Sequence, residues 1–452
     1  MRIELSLPQD FLDLLSAVGG IFYGDIKERF IKVICTDSRE CLPGDVFFAI
    51  DGTSFDGNSF IPDAIRKGAI PVGRGVGRYG IRVDSGRDAL LSFASFYKKS
   101  LPHLKHTVAI TGSVGKTTTK EILKNLSAAK YKTHATWGNY NNDIGTAITV
   151  LSAPSDTESL ILEFGMNHIG EIGNLSLAFS PDSAVITKIG SAHIGNFGSI
   201  ENIAKAKMEI VLGLKGKLFL PYGEALLLCN YRDIKYFSSK SPSANIAVIK
   251  NNFDQLELYI DGIIHSIFNF QSRADHILEC LSAAIIAAMD IGLESKEIIK
   301  EVGNINDSAF RHKVLKSAEG YTILDDSYNA SYESIKAALD MMDGITDIKR
   351  KHALLGDILE AGDMSYSIHY SVGQMASYYG LHYLFLIGNY ADAIRAGAVD
   401  CGFDNERIFI LNDLESPIKI SEFIKNMTQA DDVILIKGSH GMNLGVISKL
   451  MR

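Results

Sequence analysis

The stretch Thr111-Gly-Ser-Val-Gly-Lys-Thr-Thr118 holds the residue types that grip a nucleoside triphosphate. It follows a short apolar run, His106-Thr-Val-Ala-Ile110, and precedes residues 116–129, where Thr119, Ile122, Leu123 and Leu126 share one helical face. Strand, Gly-rich turn and helix form the setting a phosphate loop requires. Gly112 and Gly115 let the backbone turn tightly and aim N–H groups at phosphate oxygens, and the new helix adds its partial positive charge. Lys116 can reach the β- and γ-phosphates, and the Thr117 hydroxyl can ligate Mg²⁺. Gly112, Ser113, Gly115, Lys116, Thr117 and Thr118 are therefore the expected contacts to ATP. A longer form of this motif needs Gly five positions before Gly115, where this chain has Ile110, so the loop is the short GxxGKT type. The competing reading is a Gly-rich turn with a solvated lysine. The flanking strand and helix favour the nucleotide.

Glu163 ends the apolar run Leu160-Ile-Leu-Glu163, and the C-terminal ends of parallel strands are where such sheets bind ligands. It is a candidate Mg²⁺ ligand, against the plainer reading of a strand-end acid facing solvent. His193 follows the apolar run 184–189. A lone histidine is more often structural than a ligand, but this one also stands at a strand end. Lys205 and Lys207 lie in residues 200–210, for which Ser199 is a reasonable N-cap. By chemistry alone both lysines read as a solvated helix face.

The elements that must hold these residues fall into three blocks. Residues 1–104 mix short strand-like runs with a helical stretch at 85–99. Residues 105–313 alternate strand, turn and helix, as a parallel α/β sheet does, then become β-rich over 218–270 before a strong helix at 274–289. Residues 314–452 repeat apolar runs and helical segments regularly, which predicts a second, Rossmann-like doubly wound unit. The expected fold class is α/β in three domains, with the P-loop parallel sheet in the centre.

Composition narrows the setting. The chain has 452 residues, 46% hydrophobic and 22% charged, the profile of a globular enzyme of two or three domains. A net charge of −8 gives no support for nucleic-acid or anionic-membrane binding. Cys35, Cys41, Cys229, Cys280 and Cys401 are scattered without metal spacing, which suggests reduced thiols in a cytoplasmic protein. The first 20 residues carry Glu4, Asp10 and Asp13 without a basic segment, unlike a signal peptide. No apolar run reaches the roughly 18 residues that span a bilayer.

Several motifs in order resemble the Mur ligases. They are the phosphate loop, Gly138-Asn-Tyr-Asn-Asn142, Glu163-Phe-Gly-Met-Asn-His168, Ala192-His193 and Ala204-Lys-Ala-Lys-Met-Glu-Ile210. Thr36-Asp-Ser-Arg39, Pro43-Gly-Asp-Val-Phe-Phe-Ala49 and Asp56-Gly57 look like the family's uridine-nucleotide domain. Asp325-Asp-Ser-Tyr-Asn-Ala330, Leu355-Gly-Asp-Ile-Leu-Glu360 and Lys437-Gly-Ser439 look like the C-terminal domain of the member that acts last.

The resemblance implies an ATP-dependent ligase that joins D-alanyl-D-alanine to UDP-N-acetylmuramoyl-tripeptide through an acyl phosphate, acting as a monomer. It implies two Mg²⁺ ions, with Glu163 and His193 matching ligands of the second and Lys207 matching a lysine that the family carbamylates. Arg311 matches an arginine near the γ-phosphate, and Asp326 and Tyr328 match positions near the ribose. Ser38, Arg39, Asn141 and Asn142 match positions lining the UDP-sugar-peptide site. The chain departs from the family at Asp275-His-Ile-Leu-Glu279, on the adenine side, and at Asn329-Ala-Ser-Tyr332 and Lys437-Gly-Ser-His440. Ligases for a single amino acid, folylpolyglutamate synthases and P-loop NTPase switches share parts of this pattern.

Overall fold

A computed structural model describes residues 1–26, 29–52, 55–227, 230–270, 272, 274–305, 313–345, 348–414 and 416–452. Its strands form a six-stranded, a nine-stranded and a second six-stranded sheet in chain order.

The central sheet runs Ile263–Phe268, Leu256–Ile260, Ile246–Lys250, Ile234–Ser238, Lys217–Pro221, Ser183–Ile186, His106–Thr111, Ser159–Glu163, Thr133–Ala135. Pairing is parallel from Ile246–Lys250 to the Thr133–Ala135 edge, and the last two strands on the other side add an antiparallel hairpin. Period-2 alternation sorts the side chains of His106–Thr111. Val108 and Ile110 pack with Ile122, Leu123 and Leu126 of helix Lys116–Ala128 and with helix Asp275–Asp290. Ala109 faces the opposite layer, which holds Ala147, Val150, Leu175 and Phe179. Each fully buried Leu, Ile or Val contributes about 1.5–3 kcal/mol, so this two-sided burial fixes the loop ends where chemistry is expected.

The N-terminal sheet has four parallel strands, Phe30–Cys35, Val46–Phe48, Ile70–Gly73 and Gly80–Arg82, with antiparallel strands at both edges. Helix Gly86–Ser100 covers it, with Phe93 stacked on Phe48. That helix also ties the N-terminal unit to the central one, because Arg87 pairs with Asp143 at the start of helix Asp143–Leu151.

The C-terminal sheet is parallel except for the edge strand Lys313–Lys316. Among the described residues no helix is long and apolar enough to cross a membrane. Cys35, Cys41, Cys280 and Cys401 are free thiols, and Cys229 lies outside the described residues.

Candidate active site

The phosphate loop forms where the sequence places it. Gly112 has φ 148° and Gly115 has φ 90°, both in the region that favours glycine. A Cβ on Gly112 would stand 1.9 Å from Thr187 Oγ1. Thr187 needs that closeness, since its hydroxyl donates to the Val114 carbonyl at 2.6 Å and holds the loop's shape. Ser113 donates its N–H to the Lys188 carbonyl at 2.7 Å and its hydroxyl to the Gly190 carbonyl at 3.1 Å. Lys116 curls back over the loop, with Nζ 2.7 Å from the Gly112 carbonyl. Thr118 is buried behind it.

Glu163 is fully buried at the end of its strand. Its Oε2 accepts from the Thr117 hydroxyl and its Oε1 from Asn141 Nδ2, both at 2.8 Å. Among the described residues no Lys, Arg or His reaches ion-pair distance of this carboxylate. A buried carboxylate satisfied only by neutral donors lacks a counter-charge, and a hard divalent cation suits it. Among the described residues no three His, Cys, Asp or Glu side chains cluster as a ready metal cage. Mg²⁺ tolerates this, because it keeps several waters and phosphate oxygens in its shell.

His193 is the N-cap residue of the short helix Ile194–Phe197 and has φ 65°, a costly conformation for a non-glycine residue. Its Nδ1 pairs with the Glu360 carboxylate from the C-terminal unit. His193 holds the Glu360 carboxyl below its ordinary range, against the opposing effect of burial.

Lys207 corrects the reading drawn from residue chemistry alone. Only Lys205 faces solvent, while Lys207 is 2% exposed. Helix Ile200–Met208 turns it inward beside Ile203, Ala204 and Ala206. No hydrogen bond or ion pair holds its amine among the described residues. Burial, and then the nearby Lys116 charge, hold that amine well below the ordinary lysine range. An uncharged amine is the form that reacts with CO₂, so the pocket suits the modification that the motif implies.

The phosphate loop, His193 and Glu360 border a cleft of about 630 Å³ between the central and C-terminal units. Ser113 to Thr118 and His193 line one wall, and Asp326, Tyr328, Glu333 and Glu360 line the other. Asp326 is buried and paired with Lys437, whose Nζ also donates to the Asn329 carbonyl at 3.0 Å. This pins the turn that carries Tyr328. Asp275, His276 and Glu279, the departure from the family pattern, also line the cleft. Glu279 accepts from Ser239 N–H, and burial raises its carboxyl pKa.

The remaining expected residues divide. Ser38 is buried, and Arg39 is exposed but held by Asp37, whose carboxyl it keeps well below its usual range. Lys67 donates to the Ser38 and Arg39 carbonyls and braces that turn. Asn141 reaches Glu163 as described, whereas Asn142 caps helix Asp143–Leu151 through Gly145 N–H at 2.8 Å. Arg311 lies outside the described residues. Thr187, Ser191 and Glu333 gain roles only in the folded structure, as do Glu360 and Lys437. The last two lie in quoted motifs, but no local pattern marks Glu333.

Three family models match this chain: Mur ligase middle domain over residues 110–288, Mur ligase glutamate ligase domain over 310–440, and Mur ligase family catalytic domain over 30–73. A curated relative, the UDP-N-acetylmuramoyl-tripeptide--D-alanyl-D-alanine ligase of Bacillus subtilis, is 32% identical over 94% of this chain and 93% of its own. The chain belongs to the Mur ligase family. This Mur ligase is therefore an ATP-dependent ligase. It is similar in structure to MurF from Acinetobacter baumannii, with a TM-score of 0.87, 26% identity and coverage of 99% and 100% of the two chains. It is also similar to the MurF ligase of Thermotoga maritima in complex with ADP, with a TM-score of 0.80, 25% identity and coverage of 92% and 96%.

Proposed function

We propose that this Mur ligase joins D-alanyl-D-alanine to UDP-N-acetylmuramoyl-tripeptide, making a peptidoglycan precursor in the cytoplasm as a monomer. The observation that carries the reading is the cleft itself. The phosphate loop and His193 face a wall built by the Asp325–Ala330 and Leu355–Glu360 motifs, and the buried Glu163 carboxylate accepts from Thr117 of that loop. Relatives named for this reaction, alike over nearly the whole chain, add support. In this reading the three units are residues 1–104 for the UDP-sugar, 105–313 for ATP, and 314–452 for the dipeptide and ribose.

The terminal carboxylate of the tripeptide attacks the γ-phosphate of ATP, giving an acyl phosphate and ADP. Lys116 and the N–H groups after Gly112 hold the phosphate oxygens and offset their growing charge. Thr117, Glu163, His193 and a carbamylated Lys207 would hold Mg²⁺, which would supply further neutralisation of the phosphate charge. Carbamylation joins the Lys207 amine to CO₂ with loss of one proton and leaves an anionic oxygen donor. The dipeptide amine then attacks the acyl carbon and phosphate departs. Water would destroy the acyl phosphate, and contacts across the cleft at Glu333 and Glu360 keep it out. Arg311 joins the γ-phosphate side, Asp326 and Tyr328 hold the ribose, and Ser38, Arg39 and Asn141 meet the UDP-sugar-peptide, with Asn142 supporting that loop.

The test is ADP release with UDP-N-acetylmuramoyl-tripeptide and a panel of amino acids and dipeptides. Release only with D-alanyl-D-alanine is expected. Turnover with a single amino acid would reassign the enzyme within its family, and acceptor-independent turnover would make it an NTPase. Light scattering after gel filtration should give the monomer mass.

A further inference from the structure

Residues 190–195 carry His193 and touch the C-terminal unit at both ends. At one end Glu333, in the first turn of helix Tyr332–Asp343, accepts from the Ser191 N–H at 2.8 Å and from its hydroxyl at 3.0 Å. Gly190 leaves the room for this, since a Cβ there would lie 2.8 Å from the Glu333 carboxyl carbon. At the other end Gly195 N–H donates to the Glu360 carbonyl at 3.0 Å. Gly195 and Gly362 meet backbone to backbone, because a Cβ on Gly362 would stand 2.8 Å from Gly195 Cα. Between these anchors His193 has its left-handed backbone and pairs with the Glu360 carboxylate.

We propose that Glu333 is a positioning residue: by clamping Ser191 it sets the His193 loop in its metal-holding conformation, and it does so only while the C-terminal unit covers the cleft. The inference rests on reading His193 as a metal ligand. A non-glycine residue with positive φ is held by its surroundings rather than by its own preference. Hydrogen bonds to a carboxylate are charge-assisted and stronger than neutral ones. The Glu360 carboxylate meanwhile lies at ion-pair range of Nδ1, which leaves Nε2 for a metal. Metal binding and closure of the C-terminal unit would then favour each other, so the phosphate end becomes competent when the wall that meets the dipeptide is in place.

The experiment is a Mn²⁺ titration of the full chain with a non-hydrolysable ATP analogue, read by electron paramagnetic resonance. Glu333→Ala should weaken Mn²⁺ binding about tenfold, in the range for partners that orient metal ligands. Glu333→Gln keeps an acceptor for the Ser191 N–H and should restore most of the loss. Ser191→Ala removes only the hydroxyl contact and should weaken binding less, and the double variant Glu333→Ala/Ser191→Ala should be no weaker than Glu333→Ala alone. Affinity for the analogue without metal should stay unchanged in all of them. Wild-type Mn²⁺ affinity in Glu333→Ala, or additive losses in the double variant, would overturn the proposal. If Glu333→Ala does not fold, wild-type affinity in Ser191→Ala overturns it equally. The titration uses neither the acceptor nor the dipeptide, so failure of the proposed ligation is seen separately.

Discussion

The Thr117 hydroxyl donates to Glu163 Oε2 at 2.8 Å and joins the phosphate loop to the neighbouring strand end. Asn141 takes the other oxygen of the same carboxylate. One buried acid thus links the ATP side of the cleft to the loop expected to meet the acceptor.

Glu163→Gln keeps the shape and removes the charge. Without metal the variant should be more stable than wild type, because an unpaired buried charge is relieved. With ATP its Mg²⁺ half-saturation should rise by about tenfold or more. Thermal unfolding with and without Mg²⁺ checks the first, and Mg²⁺-dependent ADP release checks the second. A metal-free melting temperature below that of wild type would contradict this account.

Burial holds the Lys207 amine well below the ordinary lysine range in the folded protein, whereas the unfolded chain protonates it below about pH 10.4. Between the lowered folded value and the unfolded one the unfolded state therefore binds more protons, and burial of the amine costs stability that shrinks as pH rises toward 10. Lys207→Met should stabilise the unmodified protein at pH 7, with the gain fading toward pH 10, and should abolish ligation. Urea unfolding in bicarbonate-free buffer measures the first effect. ¹³C-bicarbonate should give a carbamate resonance in wild type and none in the variant. Ligation by Lys207→Met at the wild-type rate would sink the carbamate role.

Gly112→Ala meets two obstacles, a φ of 148° and Thr187 Oγ1 at 1.9 Å from the new Cβ. The expected loss is about 1–3 kcal/mol of stability, together with most ATP affinity. Adding Thr187→Ser should recover little, because the hydroxyl and the backbone strain both remain. Denaturant titration and binding of a fluorescent ATP analogue report the two effects.

His352 is buried against Asp432 and stacked on Tyr383 in the C-terminal unit. Burial dominates the pairing with Asp432 and lowers its pKa from 6.5 to about 4. Between those values the unfolded chain holds the proton and the folded one does not, so stability should fall as pH drops from 6.5 to about 4. His352→Gln should flatten that part of the pH–stability curve. An equally steep curve in the variant would place the titration elsewhere.

The sequence by itself determined the phosphate loop, since its glycines, lysine and flanking periodicity are local facts about neighbouring residues. Strand-end Glu163 and the regular alternation after residue 313 were legible for the same reason. Sidedness was not. Lys205 and Lys207 are two apart on one helix and chemically alike, yet only the packing of residues 200–208 buries one and leaves the other in water. Likewise Asn141 and Asn142 are adjacent, and backbone geometry alone gives one to Glu163 and the other to a helix cap. Glu333 lies 142 positions from Ser191. No spacing rule spans that distance, because the contact exists only where separately folded sheets meet. Residue type and short-range period settle what a segment can do; which of those capacities is used depends on burial and on partners the chain supplies from far away.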